Sequence, residues 1–265
     1  MAFPPERIVC LTEETVETLY LLGQSDRIVG VSGYAVRPPQ VRREKPRVSA
    51  FTSADVPKIL DLEPDLVLTF SDLQADIAAE LIREGVNVHA FNQRSVAEIL
   101  DMILMLGALT GTQARADALV AGYRAKIAAL RETPRATRPR VYFEEWDDPP
   151  ISGIAWVSEL IEIAGGEDVF AHLRREQGAK NRILNPQQII DAAPDVILAS
   201  WCGKKVRPEK IKSREGWDRI PAIAAERIFE IKSPLILQPG PAALTDGLDA
   251  IVAALWGEGE TPGSN

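Results

Sequence analysis

The chain has 265 residues, 46% of them hydrophobic and 26% charged, enough to bury a full core as one large α/β domain or as two lobes. Its formal charge of −8 argues against nucleic acid and anionic lipid as partners, because both are held by clustered Lys and Arg. No apolar run reaches the roughly 20 residues that span a bilayer, so no membrane insertion is expected.

Met1 is followed by Pro4, Pro5 and Glu6, not by a basic and then apolar leader. As written, this gives a cytoplasmic expectation, and a periplasmic one if an export signal has been removed. Arg7 to Leu11, Arg27 to Val31, Leu66 to Thr69 and Val86 to Ala90 read as strands, each followed by turn or helix signals. That alternation predicts a parallel sheet covered by helices. The basic run Arg37 to Arg47, broken by Pro38, Pro39 and Pro46, reads as a solvated loop. Ser95 is placed to cap a helix whose apolar face is Ile99, Met102, Ile103 and Leu106.

From Thr112 to about Arg131, Ala116, Leu119, Val120, Tyr123, Ile127 and Leu130 recur at helical spacing. They predict one helix roughly 30 Å long. Pro134 and Pro139 end it. The expected organisation is an α/β lobe over residues 1–111, a connecting helix over 112–133 and a second α/β lobe over 134–265, with a ligand cleft between the lobes.

The second lobe repeats the first. Val56 to Leu68 matches Pro186 to Leu198, each a short helix, a Pro-Asp turn and a buried strand. Arg7-Ile8-Val9-Cys10-Leu11-Thr12-Glu13-Glu14 matches Arg140-Val141-Tyr142-Phe143-Glu144-Glu145, each an arginine, an apolar strand and paired glutamates. The two matches come in the same order, at offsets of 130 and 133 positions.

With Leu19 to Gly23, Asp26 to Val31, Tyr34, Pro38-Pro39, Leu62 to Val67, Gly165-Gly166, Ala193 to Ile197 and Pro239-Gly240-Pro241, these segments resemble the substrate-binding proteins of cobalamin and iron-chelate importers. The resemblance covers nearly the whole chain. It implies two Rossmann-like lobes with parallel sheets joined by a single long helix, and a monomer that binds its ligand without chemistry. Cobalamin binders line the cleft with aromatics, and Tyr34, Phe51 and Phe70 stand at matching first-lobe positions. In the second lobe the chain departs from that pattern with Glu145 and Asn181, and Ser233 to Gln238 lacks the family's acid and arginine. The resemblance also implies an acidic residue in each lobe for docking to the ABC transporter. Here Pro57 and Gln187 occupy those positions, so such docking is not expected, although Asp55 is available as a substitute in the first lobe.

Ligands of parallel α/β sheets bind beyond the carboxyl ends of the strands. That rule selects Glu13, Glu14, Tyr34 and Phe70 in the first lobe, to which the resemblance adds Phe51, and Glu144, Glu145, Trp146, Trp201, Cys202 and Gln238 in the second. Two glutamate pairs, with Asp147 and Asp148 nearby, would make an acidic cleft for a cationic or metal-bearing ligand. Alternatively, Glu13 and Glu14 serve the dipole of a helix capped by Thr12, and the aspartates only decorate a turn. Trp146, Trp156 and Trp201 on strand-end loops favour a broad apolar ligand. Trp217 and Trp256 read as packing, and Cys10 as core. Lys204 and Lys205 would lower the pKa of Cys202, which raises a nucleophile reading, and Cys202 or His89 could ligate a metal. No phosphate loop, nucleophile elbow or metalloprotease helix is present.

The expected function is therefore binding of a metal-bearing small molecule, foremost a corrinoid, with no cofactor required. Two alternatives stay open. One is a periplasmic importer component for cobalamin, haem or a ferric siderophore, and the other a metal-handling protein or enzyme using the cleft glutamates and Cys202.

Overall fold

A computed structural model describes residues 3–257. The described chain divides into two compact units, one running to Gln93 and including Ala97–Ala121, the other comprising Arg94–Val96 and the described residues from Gly122. The boundary falls inside a 20-residue helix, Gln113–Glu132. Ala116, Val120, Tyr123, Ile127 and Leu130 are its buried face, as their spacing predicts.

The first unit holds a five-stranded sheet in the order β3-β2-β1-β4-β5. Its strands are β1 (Ile8–Cys10), β2 (Ile28–Ser32), β3 (Arg47–Ser49), β4 (Leu66–Phe70) and β5 (Val88–Phe91), all parallel. Val9, Leu11, Val48, Ile59 and Val67 pack its core. The Arg37 to Arg47 segment is not a solvated loop. It carries a short helix, Val41–Glu44, anchored by fully buried Val41, and ends by feeding β3.

The second unit's sheet runs β10-β9-β6-β7, with β8 also pairing to β6. Its strands are β6 (Arg140–Asp147), β7 (Pro150–Ser152), β8 (Glu167–Asp168), β9 (Val196–Ala199) and β10 (Ile228–Glu230). This sheet is mixed where a parallel one was expected: β7 turns back antiparallel on β6 through Asp148 and Pro149. Tyr142, Ile189, Ile197, Ile211 and Trp217 pack its core.

The internal repeat has a physical counterpart in each lobe. Asp65 accepts the backbone N–H of Arg7 at 3.0 Å, and the Arg7 guanidinium donates to the carbonyls of Leu62 and Glu63. In the second lobe Asp195 accepts the N–H of Arg140 at 2.8 Å, and the Arg140 guanidinium donates to the carbonyl of Ala192. Glu63 and Ala193, just ahead of each Pro-Asp, both take a left-handed backbone, with φ of 46° and 43°. The arginine opening one strand thus latches the turn that feeds its neighbour, and the carboxyl ends of the two strands come to one rim.

Candidate functional site

In the first lobe the rim is built from the segments after β1, β2, β3 and β4. Glu13 and Glu14 open the helix Glu13–Leu21, which follows β1 directly. Thr12 does not cap it through its side chain; its hydroxyl lies 3.2 Å from that of Thr15 instead. Glu14 is 2% exposed and its Oε1 has no hydrogen-bond partner. Burial pushes its pKa up to about 7, against the hydrogen bond from Thr12. Glu13 is pushed up to about 8, first by burial and then by the charges of Glu14 and Glu17, with Arg42 opposing. These two glutamates therefore hold protons near neutral pH and are not a plain pair of anions.

Tyr34 follows β2 and is 54% exposed. Gly33 N–H donates to Ser49 at 2.7 Å and ties that segment to the end of β3. Phe51, half-buried, lies in the turn after β3, while Phe70 closes β4 and is buried. Two residues overlooked in the sequence stand among them. Gln74, wholly buried, hydrogen-bonds Leu11, Phe51 and Phe70, and its neighbour Leu73 is 55% exposed. His89 on β5 packs edge-on against Phe91, and burial lowers its pKa.

The second lobe overturns the expectation of an acidic face. Glu144 has no exposed surface and accepts from Tyr142 at 3.1 Å, Trp201 at 3.0 Å and both terminal nitrogens of Arg214. Glu145 makes a bidentate pair with Arg182, whose guanidinium also reaches the Ser152 carbonyl. Asp147 does not decorate a turn; it is buried and paired with Lys204 and Lys210. Burial alone would raise its pKa, but the hydrogen bonds from these two lysines outweigh that and hold it low. The signal for these partners was present in the sequence. Six cationic residues between Lys204 and Arg214 follow β9, facing the acidic end of β6 in the fold.

The tryptophans part company. Trp201 is 3% exposed and spends its indole N–H on Glu144, and Trp156 is buried inside the helix Ala155–Ile163. Both belong to the packing, not to a ligand face. Trp146 is half-buried, with the Lys204 ammonium 3.9 Å from its ring centre. Cys202 is exposed on the turn after β9, beside a lysine already committed to Asp147. Gln238 is half-buried after the short helix Ser233–Ile236. A cavity of about 650 Å³ opens within this lobe, lined by Asp147, Gln187, Lys210, Arg214 and Trp217 among others. Among the described residues no group of three or more His, Cys, Asp or Glu could hold a metal ion.

The uncharacterised ABC transporter substrate-binding lipoprotein YvrC of Bacillus subtilis is 24% identical over 263 residues, covering 95% of this chain and 80% of that protein. A vitamin B12-binding protein of Vibrio cholerae is 28% identical over 202 residues, or 75% of this chain and 71% of that one. The periplasmic heme-binding protein RhuT of Roseiflexus, in apo form, superposes with a TM-score of 0.80 at 26% identity, over 94% of this chain and 98% of that structure. Residues 8–235 match the model of the periplasmic binding protein family, and the chain belongs to that family.

Proposed function

We propose that this protein binds a metal-bearing small molecule, foremost a corrinoid, at the strand-end rim of its first lobe and leaves it chemically unchanged. The observation that carries this reading is the first lobe's rim, where Tyr34, Phe51 and Leu73 offer apolar surface. Such faces hold broad, flat ligands. The likeness to vitamin B12-binding proteins supports a corrinoid, and the likeness to RhuT supports haem as a second reading. The metal arrives inside the ligand, and no other cofactor is required.

The reading takes an ABC transporter as partner and a periplasmic location, the first named for YvrC and the second for RhuT. Among the described residues no helix is long and apolar enough to cross a membrane. Asp55, exposed at the start of the helix Val56–Leu60, supplies a carboxylate beside Pro57. Gln187 donates to Asp191 at 2.7 Å, which places an exposed carboxylate beside that position.

Purification from the native host, followed by absorption spectroscopy and native mass spectrometry, tests the ligand. Cyanocobalamin, cobinamide and haemin, each titrated at tens of micromolar, test it again. A colourless protein that takes up none of them ends the proposal.

A further inference from the structure

Gln74 stands at the hub of the first lobe's rim. Its side chain has no exposed surface. Its Oε1 accepts the N–H of Phe70 at 2.9 Å, and its Nε2 donates to the carbonyls of Leu11 at 3.2 Å and Phe51 at 2.8 Å. One planar group thereby joins the residue after β1, the end of β4 and the turn after β3. A carboxamide suits this because it carries an acceptor and two donors together, and a flipped amide would break all three bonds.

The backbone around it is unusual. Ser71, three residues earlier, sits at φ 59° and ψ −179°, a conformation that residues other than glycine seldom occupy and that clusters at functional sites. It is held there from several directions. Its N–H donates to Phe91 at 2.8 Å, its carbonyl accepts from Gln74 N–H at 3.3 Å, and its hydroxyl accepts from Leu73 N–H at 3.3 Å. The resulting turn leaves Gln74 inside and Leu73 outside.

We propose that Gln74 is a positioning residue for ligand binding, which acts by fixing the Phe51 turn against the ends of β1 and β4. The proposal rests on the ligand reading given above. The turn is otherwise short, closed by Ala50 N–H on the Ser53 carbonyl at 2.8 Å. Held from beneath, Phe51 meets a flat ligand without first having to be ordered, and such preorganisation is a source of affinity.

The test uses the full chain with cyanocobalamin and haemin as probes, at a temperature well below the melting point of every variant. Gln74→Leu keeps the volume and loses the hydrogen bonds, so Kd for the bound probe should rise about tenfold. Phe51→Ala should cost a similar factor. The double variant should bind no worse than Phe51→Ala alone, because Gln74 acts through Phe51, whereas two costs that multiply would assign Gln74 a purely structural role and overturn the proposal. Gln74→Asn, one carbon shorter, spans fewer of the three partners; it should fall between wild type and the leucine variant, and it replaces that variant if leucine does not fold. Wild-type affinity in whichever variant folds overturns the role of Gln74 alone. Failure of the wild type to bind either probe overturns the ligand reading and this role with it.

Discussion

Arg214 donates through both terminal guanidinium nitrogens to Glu144, a carboxylate with no exposed surface within β6. The residue therefore holds the second lobe's rim together and is not a cleft anion. Glu144→Gln leaves a largely buried guanidinium without its counter-charge, which should cost about 3 kcal/mol of stability. Urea unfolding of the two proteins measures it, and equal midpoints would show that the pair contributes nothing net.

The first lobe's glutamates make a prediction about pH. In the folded chain Glu13 and Glu14 keep their protons to about 8 and about 7, against an ordinary value of 4.5. Between those limits the folded state binds more protons than the unfolded one, so stability falls as pH rises. Their contribution is fully present below pH 4.5 and fully lost above about pH 8. Glu14→Gln should flatten the part of this decline that ends near pH 7. Unfolding midpoints taken at intervals from pH 4.5 to 8.5 check it, and an unchanged slope in the variant would refute the assignment.

Sequence reading finds the central strands, buried on both faces, and with them β2 and the partly exposed edge strand β5. Val9, Val67, Tyr142 and Ile197 announce β1, β4, β6 and β9 because a central parallel strand is almost wholly apolar. The strands it misses, β3, β7, β8 and β10, are two or three residues long and too short to show a period. The site was legible in place more than in charge. The rule about strand ends finds Glu144 and Asp147, but their neutralising partners lie 57 to 70 residues further on, and which of several lysines and arginines returns to them is decided by the fold. Gln74 offers no sequence signal, since a glutamine after a strand reads as a solvated turn.

Asp147 holds Lys204 over the Trp146 ring and Lys210 beside it. Asp147→Asn removes the charge that fixes both lysines, so Lys204 should leave the indole and a local excess of positive charge should appear. Iodide, an anionic quencher, should then quench the fluorescence more strongly than in the wild type. The increase should vanish when Trp146→Phe is added, and an increase that persists would place the change at another tryptophan.

Two aromatic residues chosen by the same strand-end rule should behave oppositely when altered. Tyr34 is 54% exposed and Trp201 is 3% exposed with its N–H bonded to Glu144. Tyr34→Ala removes surface that faces outward, so unfolding midpoints should stay near wild type while Kd for cyanocobalamin or haemin rises about tenfold. Trp201→Phe deletes a buried donor to a charged acceptor and should cost about 2 kcal/mol of stability. Its Kd, measured where the variant remains folded, should change less than threefold, since the ring is buried. The reverse pattern, with affinity lost at Trp201 and kept at Tyr34, would move the ligand face to the second lobe's interior loop and end the assignment of the Tyr34 rim.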